Sequence, residues 1–360
     1  LSNAASHPEI IALLELYLES AKTKKWAAVA IAMVGHPNVA CSDFVGEVNA
    51  EEMLDEAVAR LGDKVKDSID KWQLPEHDPT LDRSYVAYNV ANGPMGFDFL
   101  IWLADAEMTR RRHGAPSPLK VGFWCGKDAD THMNRDQRRL WLSQLFRPML
   151  AMIGAVEDDR AIHGHHKPLF VPRDICTAVR NGEQVPIFRS GLAPRSPGAV
   201  TITLRESTHW PHRNSNLKAW LRFAEYLRDR GEHVVIVRDT EKAFDNFADF
   251  ETNPRASVEI RERMALYESA KCNCFVGNGP VGLAMFSTQP WLQFVRVESP
   301  DAVYTPNMPK FWKESIGVEV GDQYPWSSPS QRIIWKPDDY ENLVDAWEEL
   351  SLTKELSYGT

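Results

Sequence analysis

The chain has 360 residues, room for two domains of ordinary size. An apolar content of 43%, with 12 Trp and 15 Phe, supplies real cores and excludes a disordered chain. A formal net charge of −9 argues against a nucleic-acid binder, which needs a basic face, but leaves room for a small anion held by a few arginines.

The opening LSNA reads as a cloning remnant. Residues 8–24 carry Ile10, Leu13, Leu14, Tyr17 and Leu18 on one helical stripe. A strand-like apolar run follows at 27–34, far short of the ~18–20 residues of a membrane helix. Residues 51–71 are helical, and QLPEHDPTLDR is an exposed loop by its prolines and charges. A clear unit comes next. SYVAYNV is a strand, ANGPMGFD a glycine loop, 99–112 a helix stopped by Gly114, and LKVGFWC a second strand. This β-loop-α-β has the crossover length that a parallel sheet needs.

A further helix spans 135–153, and the proline- and glycine-rich stretch 182–198 reads as the domain linker. The alternation then resumes. AVTITL is a strand and RESTHWPHRN a loop. Ser215 caps a helix to Arg230 with Leu217, Trp220, Leu221, Ala224 and Leu227 inward, and Gly231 stops it. HVVIV is a strand ending in RDTE, 258–270 a helix, CFVG a strand, GNGPVG a turn into a short helix, and WLQFV another strand. A last helix covers 340–350. No short-period repeat is visible. The fold class expected is α/β: two doubly wound parallel-sheet, Rossmann-like domains facing a cleft. The first covers residues 5–190 and the second 191–335, while 336–360 form a helix returning to the first domain.

Five scattered cysteines, Cys41, Cys125, Cys176, Cys272 and Cys274, lack a second pair or nearby histidines at ligand spacing. Buried reduced thiols in a cytoplasmic protein are the natural reading. The motif HGHH (His163, His165, His166) lacks carboxylates at ligand spacing, and the acidic pair Asp128 and Asp130 lies in the first half. No metal is expected.

Ligands of an open parallel sheet sit beyond the carboxyl ends of its strands. After TITL this chain places Arg205, Glu206, Ser207, Thr208 and His209, then Arg213, Asn214 and Ser215. After VVIV come Arg238, Asp239 and Thr240, and after CFVG come Asn278, Gly279, Pro280 and Gly282. A helix start with free N–H groups, glycines without Cβ atoms and two planar guanidinium groups suit a diphosphate. The competing reading is an ordinary strand–helix turn, with Arg205 paired to a carboxylate such as Glu206 or Asp239. Neither GxxxxGK[ST] nor a strict GxGxxG is present, which argues against a P-loop NTPase.

Three segments taken together, VTITLRES…HWPHRNSN, VVIVRDTE and ALYESAKCNCFVGNGPVGLAMF, resemble the carboxy-terminal domain of GT-B-fold glycosyltransferases of heptosyltransferase and fucosyltransferase-like type. The resemblance covers residues 199–297, with the first half similar only in layout. The heptosyltransferase loop usually carries an acidic residue, a hydroxyl residue and Gly, often followed by His; here Asn278 precedes Gly279 and Pro280, and no such His follows.

The resemblance implies transfer of a sugar from a nucleotide-diphosphate donor to a glycan or other hydroxyl acceptor, without a metal cofactor. Arg205, Arg213, Asn214, Asn278, Gly279, Pro280 and Gly282 would hold the diphosphate. Arg238, Asp239, Asn92 and Gly93 would lie near the nucleoside or sugar. Asp98, at the start of the 99–112 helix, is the candidate general base, with helix capping its alternative role. Glu206 and His132 are weaker catalytic candidates. The partners expected are small molecules, with peripheral membrane association left open. A nucleotide-sugar epimerase or a non-catalytic sugar-nucleotide or glycan binder are the rival readings.

Overall fold

The computed structural model describes residues 77–90, 96–124, 139–167, 171–208, 211–297 and 309–358. The helices expected at 8–24 and 51–71 and the strand at 27–34 lie outside them. The chain divides into two compact units, Leu1–Leu142 with Ala155–Val171 and Ser143–Gly154 with Pro172–Thr360.

In the first unit, β1 (Tyr85–Asn89), helix α1 (Asp98–Arg112) and β2 (Lys120–Trp124) form the expected crossover. Two short strands, β3 (Val156–Glu157) and β4 (His165–His166), complete a parallel sheet of order β3-β2-β1-β4. Helix α1 is apolar nearly all round, so it is buried along most of its length, from Phe99 to Met108. Its last turn carries the part-buried Arg110 and the exposed Arg111, both paired with Glu107 at 2.7 Å. Gly114 follows at φ 62°, a left-handed stop that glycine adopts without a Cβ penalty.

Strand β2 is glycine-dependent at one point. A Cβ on Gly122 would lie 2.2 Å from the backbone nitrogen of Ile162, in the turn packed over the strand. Gly122→Ala should therefore destabilise this unit by about 1–3 kcal/mol, since backbone rather than a flexible side chain must move. Chemical denaturation of parent and variant measures it.

The second unit holds α2 (Arg147–Met152), α3 (Pro172–Arg180), β5 (Val200–Thr203), α4 (Leu217–Asp229), β6 (Val234–Val237), β7 (Glu251–Thr252), α5 (Pro254–Val258), α6 (Ile260–Tyr267), β8 (Cys272–Val276), α7 (Val281–Met285), β9 (Trp291–Phe294), β10 (Gln331–Ile334) and α8 (Tyr340–Tyr358). All neighbouring strands are parallel, in the order β10-β9-β8-β5-β6-β7. This is the arrangement of dinucleotide-binding sheets, with its switch point between β5 and β8.

Both faces of the sheet are covered. One is apolar, where Val200, Ile202, Cys272, Cys274 and Leu292 pack with Trp220, Phe223 and Leu227 of α4. The other alternates into buried polar groups that satisfy one another. Thr201 Oγ1 donates to Asn273 Oδ1 at 2.7 Å, and Asn273 Nδ2 donates to Tyr267 O at 3.0 Å. Cys272, Cys274 and Cys176 are buried free thiols, as the scattered spacing suggested. Among the described residues no helix is long and apolar enough to cross a membrane.

Three boundaries differ from the sequence expectation. Residues 182–198 are not a linker between the units. They have irregular backbone but belong to the second unit, where Phe188 is fully buried and Arg195 Nε pairs with Glu262 at 2.7 Å. Prolines and glycines block regular structure there, but side chains still bind the segment to the unit's core. The helix expected at 258–270 is the shorter α6, Ile260–Tyr267, and the extended residue Glu259 parts it from α5, a separate helix that ends at Val258. Helix α8 packs within the second unit, with Leu343, Ala346, Trp347 and Leu350 in the same core as α4, so the return to the first domain is corrected. Asp338, just before α8, ties the start of that helix to α4. Its Oδ2 accepts from Trp220 Nε1 and from Asn216 N, both at 2.7 Å.

Candidate functional site

The carboxyl ends of β5 and β8 lie side by side at the switch point, so the loops after them share one edge of the second unit's sheet. The loop after β5 is closed on itself. Arg205 N donates to Ser215 Oγ at 2.9 Å, and Ser215 N donates back to Arg205 O at 3.0 Å. Ser215 is thus a loop lock, and the cap of α4 is Asn216, whose side chain accepts from Ala219 N. Inside the loop, Ser207 N donates to Asn214 Oδ1 at 3.1 Å and Asn214 Nδ2 to Ser207 O at 2.9 Å. Asn214 also accepts from Arg205 Nη1. Its amide is engaged in shaping the loop, which makes it an organiser of the loop.

Arg205 is half-buried at the end of β5. Burial pushes its pKa below the ordinary arginine value, opposed by the carboxylate of Asp239. The guanidinium remains a cation, and partial dehydration strengthens any contact it makes with an anion. Arg213 has a bracing contact, with Nη2 donating to the carbonyl of Gly277 at 2.8 Å. That bond crosses the switch point and ties the loop after β5 to the loop after β8.

The loop after β8 runs Gly277, Asn278, Gly279, Pro280 into α7. Val281 N donates to Asn278 O and Gly282 N to Gly279 O, a tight turn. The N–H groups of Asn278 and Gly279 have no acceptor among the described residues. The side-chain oxygen Oδ1 of Asn278 is buried without a hydrogen-bond partner. Gly277, Gly279 and Gly282 all keep negative φ, so none is needed for a left-handed turn. Gly279 is exposed, where the lack of a side chain leaves the backbone approachable. Gly282 is buried inside α7, which corrects its expected place in the cradle.

Glu206 and Arg238 form a buried ion pair. Arg238 donates through Nε at 2.9 Å and through Nη2 to the two carboxylate oxygens, and the side chains are 9% and 10% exposed. Arg238 also donates to the carbonyls of Asp245 at 3.4 Å and Asn246 at 2.7 Å. The expected catalytic role of Glu206 and the ligand role of Arg238 therefore give way to a bracing pair. A carboxylate held on both oxygens by a buried guanidinium is poorly placed to accept a proton. Asp239 braces too, accepting from Glu206 N at 3.1 Å and from Thr240 N at 3.0 Å. It is only half-buried, and each carboxylate oxygen can accept a further bond.

In the first unit Asp98 is exposed and opens α1. The N-cap position belongs to Phe97, which makes no side-chain cap. Asp98 therefore lies one residue inside the helix, where a carboxylate still favours the dipole. Tyr88 is held above the ordinary phenol pKa, first by burial and then by the charge of Asp98. Asn92, Gly93, Asp128, Asp130, His132 and His209 lie outside the described residues.

Of the HGHH motif, His165 and His166 form β4, and Arg83 Nη1 lies 3.0 Å from His165 Nδ1. The ring of His77 is 4.5 Å from that of His165. Burial, then the charge of Arg83, lowers the pKa of His165. Among the described residues no three His, Cys, Asp or Glu side chains gather as a metal ion requires.

The second unit thus presents a doubly wound parallel sheet with a half-buried arginine at its switch point and loop N–H groups that find no acceptor among the described residues. No family model matches the chain, and no curated protein does. Among solved structures it is similar to the iron-containing dodecameric glycosyltransferase TibC from enterotoxigenic E. coli. Identity there is 15% over 78% of this chain and 81% of that one, with a TM-score of 0.43. A glycosyl transferase family 9 protein from Veillonella parvula is 11% identical over 74% and 96% of the two chains, with a TM-score of 0.43. The E. coli ADP-heptose lps heptosyltransferase II is 13% identical over 75% and 78%, with a TM-score of 0.33. Likeness at this level bears on neither activity nor ligand.

Proposed function

We propose that the chain is a glycosyltransferase that takes a sugar from a nucleotide-diphosphate donor and passes it to a hydroxyl acceptor of glycan type. The observation that carries this reading is the switch point of the second unit. There Arg205 opens the loop just past β5, and the N–H groups of Asn278 and Gly279 follow the adjacent strand β8 without acceptors among the described residues. An anion between these loops gains a planar cationic fork and two backbone donors.

The chemistry follows from where charge grows. As the acceptor oxygen attacks the anomeric carbon, the bond to the diphosphate breaks and negative charge develops on the leaving oxygen. Donors already fixed in place stabilise that charge more in the transition state than in the ground state. Arg205 is fixed through Asn214, and Arg213 holds the donor loop through Gly277 O. In this reading Asn214, Arg213 and Ser215 position the site, while Arg205, Asn278 and Gly279 touch the diphosphate. Asp98 of the first unit is assigned as the base that takes the acceptor proton. In this reading Arg205 supplies the positive charge that meets the diphosphate, and a metal-independent reaction is part of the proposal.

Calorimetric titration tests it. Arg205→Ala should remove a charge-assisted contact of about 1.5–3 kcal/mol. Nucleoside-diphosphate binding should then weaken by roughly 10- to 150-fold. The free nucleoside should bind parent and variant alike, because only the phosphate contact is lost. Equal diphosphate affinity in the two, with matched melting curves, would leave the loop after β8 as an ordinary turn. Incubation with donor sugars then separates the classes: transfer or hydrolysis supports the proposal, whereas an epimerised sugar or binding without turnover overturns it.

A further inference from the structure

The loop that leaves β6 exposes a large aromatic side chain on a backbone that is firmly held. Phe244 is 83% exposed, more than any other large apolar side chain among the described residues. The residues around it are not slack. Ala243 and Phe247 are buried at 1% and 8% exposure. Thr240 Oγ1 donates to Ser257 O at 3.2 Å, and Lys242 N donates to Asp239 O at 2.8 Å. On the other side, Arg238 Nη1 donates to the carbonyls of Asp245 and Asn246, the two residues after Phe244. The same guanidinium grips Glu206, next to Arg205. Phe244 is therefore carried on a loop fastened, through one arginine, to the loop where the diphosphate is proposed to sit.

The strand order says what lies above that loop. In sheets of this order the phosphates sit at the turn after the first strand, and an acidic residue ending the second strand meets the ribose. Here β5 is the first strand, β6 the second, and Asp239 is the half-buried acid just past its end. A nucleotide laid along this edge from Arg205 past Asp239 carries its base onward to the loop of Phe244. We infer that Phe244 is the residue on which the nucleobase of the donor stacks. The inference rests on the nucleotide reading above and adds the residue that sets base affinity. A base offers a flat π face, and an exposed ring on a preorganised loop meets it with little ordering cost. Stacking of this kind tolerates any base, so purine and pyrimidine nucleotides both gain from it.

The test is calorimetric titration of ADP, GDP, UDP and inorganic pyrophosphate against the full chain and its variants Phe244→Ala and Phe244→Trp. In Phe244→Ala, each nucleotide the parent binds should weaken by roughly 5- to 150-fold. Pyrophosphate should bind that variant as it binds the parent. Phe244→Trp should keep nucleotide affinity, and saturation should quench fluorescence beyond the change seen in the parent. Unchanged nucleotide affinity in Phe244→Ala overturns the assignment. So does an equal loss for nucleotide and pyrophosphate, which would mean that the variant disturbs the loop rather than the base contact. A parent that binds pyrophosphate but none of the three nucleotides overturns the base-stacking role and leaves the anion crevice standing. A parent that binds neither removes the nucleotide reading itself.

Discussion

Replacing Arg238 with methionine should destabilise the second unit by about 3–5 kcal/mol, because it leaves the carboxylate of Glu206 buried without its counter-ion. The pair is nearly dehydrated, with side chains 9% and 10% exposed, and both carboxylate oxygens rest on the guanidinium. The carbonyls of Asp245 and Asn246 lose a donor at the same time. The second partner provides the control. In Arg238→Met/Glu206→Gln the uncompensated charge is gone, so the double variant should recover part of the loss, and the coupling measures the pair. Urea denaturation of parent, both single variants and the double variant gives the cycle. Additive losses would show that Arg238 acts only through packing and its carbonyl bonds.

Turnover should fall by about 10²- to 10⁴-fold in Asp98→Asn, while donor affinity stays close to that of the parent. Asp98 is exposed at the start of α1, beyond the carboxyl end of β1, so water and an acceptor can both reach its carboxylate. The amide keeps the shape and loses the ability to take a proton. A role confined to the helix dipole predicts something else: a stability change of about 0.3–1 kcal/mol with turnover intact. Measuring initial rates at saturating donor, beside thermal melts of both proteins, separates the two. Full turnover in a slightly less stable variant would remove Asp98 from the chemistry.

Much of the second unit is legible in the sequence alone. The strands β5, β6, β8 and β9 are continuous or alternating runs of β-branched and apolar residues, and burial on both faces of a parallel sheet leaves that mark. Strand β7 was not legible, because its two residues, Glu251 and Thr252, leave no period to read. Strand β10, Gln331–Ile334, buries a glutamine whose amide is satisfied by Ser287 O and Gln289 O, residues far away in sequence. The polar face of the sheet is alike in this, since Thr201 and Asn273 become core residues only by bonding each other.

The candidate site divides along the same line. Local sequence determined that Arg205, Asn278 and Gly279 would stand at strand ends, because strand and turn signals act over a few residues. The identity of each arginine's partner was open to tertiary structure alone. Arg213 reaches the carbonyl of Gly277, and Glu206 goes to Arg238 rather than to a substrate or to Arg205. Those pairings depend on which strands lie side by side, in the order β8-β5-β6. The stretch 182–198 shows the same limit from the other direction. Its prolines and glycines determined irregular backbone, but the buried Phe188 and the Arg195–Glu262 pair decided that this backbone belongs to a domain. Composition governs what a segment's backbone can adopt; the surfaces that bury its side chains govern where it goes.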